Sequence, residues 1–291
     1  MLRSFKVRQI QATVAVLAIA SALVAPHANA ATNPRPTKII SLSPSATEIL
    51  FAIGAGPQVI AVDDNSDFPS NAPMTKLSSY APNVEAIAAY QPDLVVIQSS
   101  ATGASNVIAS LKKLNINVFV EETPATINDA YKEFVSLGSA TGHPSRAKAL
   151  IASMKSQISE IVAKYRKKTP LRIYHELDNT PYSADSTSFI GQMYADFNVT
   201  NIADAASSAA AGGYPQLTSE LVVKANPQAI FLDDAIYGES ETTLAKRPGW
   251  SGISAIKTHH VISLPADIPD RWGPRIVDFY RLVGKAIASI N

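Results

Sequence analysis

Cysteine is absent from this chain of 291 residues, and charged and aromatic residues are few, at 17% and 7%. A chain without cysteine forms no disulfide, so its fold depends on an apolar core alone. The 46% apolar content can supply the core of one large domain or of two medium ones. The composition argues against disordered and fibrous proteins and indicates a globular fold.

The sequence also lacks the short motifs of common enzyme classes. It contains no G-x-S-x-G, H-E-x-x-H, G-x-x-x-x-G-K or G-x-G-x-x-G. We therefore expect a protein that is not an enzyme and that needs no cofactor.

A long apolar run occurs near the N-terminus. It extends from about Ala12 to Ala25, after three basic residues, and Ala28-Asn29-Ala30 then matches a small-x-small cleavage pattern. The run is shorter than the roughly 20 residues of a membrane-spanning helix, so we predict a signal peptide at residues 1–30 and not a span. Because no cysteine stands at the cleavage site, we expect a soluble periplasmic or extracytoplasmic protein with no lipid anchor.

Positive charge is not in excess either. Without the predicted signal peptide, the 25 basic residues fall to 22 against 24 acidic ones, a formal net charge of −2. Nucleic acids and anionic membranes attract concentrated positive charge, so we expect neither to be the main partner.

One short pattern, by contrast, occurs twice. Glu85 and Glu220 lie 135 positions apart, and each is followed seven positions later by a proline and then by a short apolar run. The prolines are Pro92 and Pro227, and the runs are 94–97 and 229–232. Each copy predicts a short helix that ends at the proline and leads into a buried strand. The repeat predicts two lobes that close on a ligand.

Short apolar runs alternate with helical patterns along the chain. The predicted strands are 39–42, 59–62, 94–97, 118–120, 171–174, 229–232 and 261–264. This alternation is typical of an α/β fold with mostly parallel sheets. We expect Ser43-Pro44-Ser45 to open the first helix, in which Ser45 and Glu48 have the spacing of a capping box.

Between the two halves, apolar residues with helical spacing predict one long helix from Pro144 to Lys168, which Thr169-Pro170 ends. We expect an N-terminal lobe at 36–142, a backbone helix at 143–169 and a C-terminal lobe at 170–291. The alternative is a long surface helix within one larger domain.

Four aromatic residues stand in predicted loops beside Gly, Pro or Ser: Tyr80, Tyr182, Tyr214 and Trp272. Such residues can line a cleft and stack on a flat ligand, or each can only anchor its own loop. Asp267 and Arg271, in the same loop as Trp272, are further candidates because an arginine can pair with a carboxylate or hold ligand amides. Arg275 and Asp278 are expected to be exposed on the first turn of the closing helix.

Histidines offer an alternative function. His175-Glu176 and His259-His260 could form a metal site if the fold brought them together, as in a secreted metal-dependent hydrolase. A scaffold or adhesion module without an enclosed pocket is a third possibility.

Five segments resemble the substrate-binding proteins of ABC importers for vitamin B12, haem and ferric siderophores, the class III periplasmic binding proteins. Residues 40–48 (ISLSPSATE) resemble the opening strand and helix of that family, and 83–87 (NVEAI) and 214–220 (YPQLTSE) resemble its two docking segments. Residues 226–230 (NPQAI) and 274–276 (PRI) extend the match over essentially the whole mature chain.

The resemblance implies two α/β lobes, each with a mostly parallel sheet, joined by a single long helix. It implies that Glu85 and Glu220 form salt bridges to arginines of the two permease subunits. It also implies a monomer that delivers its ligand to an ABC permease dimer with its ATPase. The ligand would lie between the lobes, near Tyr80, Tyr182, Tyr214, Asp267, Arg271 and Trp272.

The sequence departs from the vitamin B12 binders at several of these places. Tyrosines stand where those proteins tend to have tryptophan or phenylalanine, and Asn65 stands where another aromatic residue is expected. Tyrosine is an iron ligand in haem binders, and siderophore binders use arginine and tyrosine. We therefore expect a corrinoid first, with a ferric siderophore or haem as alternatives.

Overall fold

The structure is a computed structural model that describes residues 35–265 and 267–290. The predicted signal peptide lies outside the described residues. Among the described helices, none combines the length and the apolar character that a bilayer crossing requires.

The N-terminal half contains a sheet of five parallel strands. They are β1 (Ile39–Leu42), β2 (Val59–Asp63), β3 (Met74–Leu77), β4 (Leu94–Gln98) and β5 (Asn117–Glu121), in the order β3-β2-β1-β4-β5. Both β1 and the apolar part of β4 are buried on their two faces, which explains their unbroken runs of Ile, Leu and Val. The helices of this half are α1 (Pro44–Ala52), α2 (Val84–Ala88), α3 (Ala104–Lys113) and α4 (Ile127–Thr141).

The first helix begins at Pro44, within the predicted opening Ser43-Pro44-Ser45, but the predicted capping box of Ser45 and Glu48 is wrong. Ser43 is the N-cap, and its hydroxyl accepts a hydrogen bond from the backbone N–H of Ala46 at 3.2 Å. Pro44 occupies the first helical position, where its missing N–H costs no hydrogen bond. Ser45 and Glu48 are therefore inside the helix, and both are buried.

A long helix, α5 (Pro144–Tyr165), connects the two halves. It ends three residues before the predicted Lys168, because the residues that follow bind the C-terminal half instead of continuing the helix. The backbone N–H of Lys167 donates to the carbonyl of Phe197, and the Asn198 amide donates to the Lys167 carbonyl. The 22 residues of α5 span about 33 Å at 1.5 Å per residue.

The C-terminal half repeats the arrangement with four parallel strands. They are β6 (Leu171–Glu176), β7 (Val199–Asn201), β8 (Ala229–Leu232) and β9 (Val261–Ser263), in the order β7-β6-β8-β9. Its helices are α6 (Phe189–Ala195), α7 (Ser219–Ala225), α8 (Glu241–Ala245), α9 (Ser254–Lys257) and α10 (Ile276–Ala288). The predicted α/β class with two parallel sheets is confirmed.

The largest apolar core spans both halves. The helix α5 packs against α4 on one side and α10 on the other. The core joins one face of each sheet through these helices, with members such as Ile39, Val96, Met154, Ile173, Phe231 and Phe279. Separate cores cover the opposite face of each sheet. Residues from Arg35 onward consequently form one compact unit.

Candidate functional site

The first strand of each half lies between a strand that follows it directly and one that comes later in the chain. In the N-terminal sheet β1 lies between β2 and β4, and in the C-terminal sheet β6 lies between β7 and β8. Open parallel sheets bind ligands outside the carboxyl ends of the strands at such a switch point. The amide of Gln98 donates to Ser43 Oγ across this point at 3.3 Å, and the N–H of Asp233 donates to the Glu176 carbonyl at 2.9 Å.

A cleft of about 500 Å³ opens at these carboxyl ends. The N-terminal half provides residues 123–125, which follow β5. The C-terminal half provides Leu177 and residues 187–190 with Gly212 and Tyr214, and the loop between β9 and α10 provides Pro269, Asp270 and Trp272. The cleft thus has apolar and aromatic walls with a few polar groups, as small-molecule sites usually do.

A second cavity of about 570 Å³ adjoins the cleft and shares residues 123–125 with it. Its other lining residues come from the end of β5 and from α4, and they include Glu122, Asp129, Lys132 and Glu133. Lys132 is paired with Asp129 at 2.8 Å. The N-terminal wall of the cleft therefore continues into an acidic recess.

Trp272 is the predicted ligand residue whose position is best defined. Its backbone N–H donates to Ser45 Oγ at 3.3 Å, and its indole N–H donates to Glu121 Oε1 at 3.0 Å. Both acceptors belong to the N-terminal half, although Trp272 follows the last strand of the C-terminal half. Gly273 allows this approach, because a Cβ there would lie 2.6 Å from Glu48 Oε2. The indole thus lines the cleft in a defined orientation.

Arg271 and Arg275 are engaged in ion pairs with the N-terminal half. Arg271 is buried, with its guanidinium 2.8 Å from Asp67, 3.1 Å from Asp267 and 3.5 Å from Glu48. Arg275 Nε donates to Glu48 Oε1 at 3.0 Å. The prediction that Arg275 is exposed is wrong, because the buried carboxylate of Glu48 draws it inward; Asp278 is exposed as expected.

This ion-pair network, which we call the Glu48 network, contains Glu48, Asp67, Asp267, Arg271 and Arg275. Arg271 and Asp267, both predicted to bind the ligand, contact each other, and Arg271 also contacts Glu48 and Asp67 of the N-terminal half. Their direct contact with a ligand stays a prediction. What the geometry shows is that they hold the loop that carries Asp270 and Trp272.

The three tyrosines occupy different positions. Tyr214 lines the cleft and is 40% exposed, and burial, followed by the nearby Asp270, raises the pKa of its phenol. Tyr182 is 41% exposed and forms a backbone bridge with Gln216. Tyr80 is 74% exposed, and its carbonyl accepts from Thr102. Tyr182 and Tyr80 lie outside the lining of the cleft, and their ligand contacts stay predictions.

Glu121, which accepts from Trp272, is itself one of a pair of carboxyl groups. Burial raises the pKa of Glu121, and burial together with Glu121 raises that of Glu133. Glu121 Oε2 and Glu133 Oε1 are buried, and neither has a hydrogen-bond partner within the described residues while both groups are ionised. The charge of Glu121 therefore favours the protonated form of Glu133.

A second carboxyl pair lies on the C-terminal wall. Asp233 follows β8 directly and is hydrogen-bonded to Asp270, which lines the cleft. Burial, and then the charge of Asp270, raises the pKa of Asp233. Sequence reasoning missed Glu48, Glu121, Glu133 and Asp233. The position of Glu121 and Asp233 at the ends of apolar runs was a signal that could have found them, because strand ends of parallel sheets meet at the ligand site.

Glu85 and Glu220 occupy equivalent places outside the cleft. Each lies in the first turn of a short helix, α2 or α7, and each is exposed. Asn83 and Thr218 cap the two helices by accepting backbone hydrogen bonds. A carboxylate in the first turn is stabilised by the helix dipole. Both side chains point from similar capped turns, each leading through a proline into β4 or β8.

The histidines of the hydrolase alternative contact different partners. His175 is fully buried, its Nδ1 is 2.9 Å from Tyr194 Oη, and burial lowers the pKa of the imidazole to about 3. His259 pairs with Glu241, and His260 with Thr258. Across residues 35–265 and 267–290, no three His, Cys, Asp or Glu side chains are grouped to hold a metal ion.

Comparison with known proteins gives a consistent result. The sequence model of the family described as periplasmic binding protein matches residues 39–268. An uncharacterized ABC transporter substrate-binding lipoprotein of Bacillus subtilis (strain 168) is 33% identical over 84% of this chain and 77% of its own length. A vitamin B12-binding protein of Vibrio parahaemolyticus is 27% identical, covering 83% of this chain and 86% of its own.

Solved structures show the same similarity. The crystal structure of a possible iron-binding (periplasmic solute-binding) protein from Staphylococcus epidermidis superposes with a TM-score of 0.75 at 25% identity. The superposition covers 87% of this chain and 99% of that one. The likeness therefore extends over both sheets and the helix between them.

Proposed function

We propose that this chain, which belongs to the periplasmic binding protein family, captures a metal-chelate ligand in its cleft and delivers it to an ABC transporter. The observation that carries the proposal is a cleft of about 500 Å³ at the carboxyl ends of two matched parallel sheets, lined by Tyr214 and Trp272. Aromatic walls of this kind suit a flat, partly apolar ligand. The protein acts as a carrier and not as a catalyst.

Among metal chelates, a corrinoid is the first candidate, and a ferric siderophore or haem comes next. The similarity to a vitamin B12-binding protein over most of both chains supports this order. Trp272 and Tyr214 would stack on the ligand, and Tyr80 and Tyr182 would reach it from outside the lining of the cleft. Asp267 and Arg271 would act mainly by holding the loop of Trp272 in place.

Delivery would use the two exposed glutamates. Glu85 and Glu220 present one carboxylate from each half, on short capped helices that are otherwise alike. Salt bridges to arginines on the two subunits of a permease would orient the carrier on both of them at once. The partner is thus a permease dimer with its ATPase.

The carrier would work outside the cytoplasm, as a monomer. Because α5 is continuous and packs against α4 and α10, closure of the cleft would be a small movement. Bending a packed helix strains its backbone hydrogen bonds, which a flexible linker avoids.

Titration of the mature protein with cyanocobalamin, haemin and a ferric siderophore tests the proposal. The expected result is binding of at least one chelate with a Kd below about 10 μM, with quenching of tryptophan fluorescence and an increase in Tm. A protein that bound none of these chelates would contradict the ligand class.

A further inference from the structure

Both walls of the cleft carry a pair of carboxyl groups. On the N-terminal side the pair is Glu121 and Glu133, and Glu133 lines the recess next to the cleft. On the C-terminal side the pair is Asp233 and Asp270, and Asp270 lines the cleft itself. A ligand between the walls therefore meets carboxyl groups from two directions.

The N-terminal pair retains negative charge and an acceptor. Glu121 is 1% exposed, and its Oε1 accepts the indole N–H of Trp272. Its Oε2 and Glu133 Oε1 are buried and have no hydrogen-bond partner within the described residues. The charge of Glu121 raises the pKa of Glu133, so the proton of the pair lies on Glu133 and the negative charge that remains lies on Glu121.

The C-terminal pair is not neutralised by the histidine behind it. His175 Nε2 lies 3.9 Å from Asp233 Oδ2 and has no hydrogen-bond partner within the described residues. The imidazole is fully buried, and burial lowers its pKa to about 3, so the ring is uncharged at neutral pH. The uncharged ring therefore supplies no positive charge to Asp233 and Asp270.

The nearest arginines are already matched with carboxylates. Arg271 contacts Asp67, Asp267 and Glu48, and Arg275 contacts Glu48. In the adjoining recess, Lys132 is paired with Asp129. The cations near the cleft are therefore held by acidic partners of the protein.

We propose that the cleft selects ligands that are neutral or cationic and that present N–H or O–H donors, and that it disfavours ligands with carboxylate or catecholate groups. This inference rests on the proposed function, because it narrows the ligand of the same cleft. Carboxyl pairs accept hydrogen bonds from ligand amides, and like charges in a desolvated cleft repel one another. The amide-bearing edge of a corrinoid fits this selection, whereas the two propionates of haem do not.

Matched ligands that differ in charge test the selection. Cyanocobalamin is compared with its monocarboxylic acid, in which one amide is replaced by a carboxylate, and with haemin. Cationic ferrioxamine B is compared with anionic ferric enterobactin. Binding is measured by calorimetric titration at neutral pH. In each comparison in which binding is detected, we expect the uncharged or cationic ligand to bind at least about tenfold more tightly than the anionic one.

The failures of the two proposals differ. Binding of haemin, ferric enterobactin or the monocarboxylic acid as tightly as its counterpart would overturn the charge selection and leave the carrier function standing. A protein that bound none of the five chelates would overturn the carrier function and the selection with it.

Amide substitutions assign the effect to the carboxyl pairs. Asp233→Asn with Asp270→Asn, and Glu121→Gln with Glu133→Gln, keep the shape of the side chains and each remove the negative charge of one pair, whereas a single amide would leave the charge on the other member. Each variant is expected to reduce the discrimination by at least about threefold. Glu160→Gln, on the exposed surface of α5 and outside the lining of the cleft, removes one charge and serves as the control. If both double variants kept their Tm and their full discrimination, the pairs would not be the cause.

Discussion

The two halves of the molecule share a strand order but differ in how they handle buried charge. The order β2-β1-β4-β5 corresponds to β7-β6-β8-β9, and the N-terminal sheet adds the edge strand β3. In the C-terminal half, Arg247 pairs with Glu176 at 2.7 Å and with Glu239 at 2.9 Å, so this ion-pair cluster is formed within one half of the molecule. In the N-terminal half, Glu48 receives its arginines from the loop after β9.

This difference indicates which parts of the cleft move together. The loop that carries Asp270 and Trp272 follows the C-terminal sheet in sequence, yet the Glu48 network and Glu121 bind it to the N-terminal half. Ligand contacts from this loop therefore depend on N-terminal carboxylates. The corresponding cluster of the C-terminal half has a structural role within its own lobe.

The largest effect, on ligand uptake, is expected from the two exposed glutamates, which occupy equivalent positions in the two halves. Replacing both glutamates in a Glu85→Ala, Glu220→Ala variant should abolish uptake of radiolabelled cyanocobalamin by cells that carry it in place of the wild type. Loss of two charge pairs to the permease weakens docking by at least about 100-fold. Ligand affinity should not change, because neither residue lines the cleft.

Single substitutions sharpen this test. If the lobes are equivalent in docking, Glu85→Ala and Glu220→Ala should reduce uptake to similar extents, with Glu160→Ala as a control. A loss of ligand affinity in the double variant would place these residues in the pocket and contradict the docking role.

The two buried charge clusters should respond differently to removal of their carboxylates. Glu48→Ala leaves Arg271 and Arg275 without the carboxylate that they share, and Glu176→Ala removes the buried partner of Arg247, which keeps only Glu239. Each change should lower the free energy of unfolding by about 3–5 kcal/mol, measured by urea denaturation. Glu48→Ala alone should also weaken ligand binding at least about tenfold, since it releases the loop of Trp272.

Equal ligand affinities in the two variants, measured where both remain folded, would contradict the division of roles between the clusters. Glu48→Gln, which keeps one acceptor for Arg275, is expected to recover part of the binding. Such a recovery would show that the contact, and not the loss of charge in general, holds the loop.

The two tryptophans distinguish the cleft from the core. Trp272 lines the cleft, whereas Trp250 is fully buried in the C-terminal half and donates to Ser219 Oγ. Trp272→Phe should weaken ligand binding about tenfold and remove most of the ligand-dependent fluorescence quenching. Trp250→Phe should leave both largely unchanged, and the reverse pattern would move the ligand away from the predicted cleft.

The smallest effect concerns the pH dependence of stability. His175 stays uncharged in the folded protein down to about pH 3, whereas in the unfolded chain it binds a proton below about pH 6.5. Unfolding therefore takes up a proton between these values, and stability falls by up to about 1.4 kcal/mol for each pH unit as pH decreases. His175→Gln should flatten this part of the profile.

Urea denaturation at a series of pH values measures the slope for the wild type and the His175→Gln variant. The carboxyl pair of Glu121 and Glu133 acts in the opposite direction, because a raised pKa makes stability fall as pH rises. An acid slope that was unchanged in the His175→Gln variant would mean that other groups cause it.

Much of the fold could be predicted from local pattern. Seven apolar runs correspond to strands, and the family and the α/β class are confirmed. The sequence missed β3 and β7, since one is an exposed edge strand and the other has three residues, so neither carries a long apolar run. The end of α5 was misplaced because tertiary hydrogen bonds to Asn198 and Phe197, and not local propensity, end it.

The candidate site was predictable only in part. Trp272 and Tyr214 do line the cleft, and both stand in loops beside Gly or Pro, although Trp272 also packs against the apolar core. Arg271 looked the same in sequence, but it is buried among Glu48, Asp67 and Asp267. Glu48 and Asp67 are about 200 positions away, and no local pattern reveals such a contact.

The sequence by itself determined the alternation of strands and helices, the long connecting helix and the repeated glutamate unit, because each depends on side chains a few positions apart. Tertiary structure alone decided which charges meet. It joined the loop after β9 to the N-terminal half, and it paired Glu121 with Glu133 and Asp233 with Asp270. Burial and pairing arise from contacts between distant segments, and these contacts set the charge that a ligand encounters.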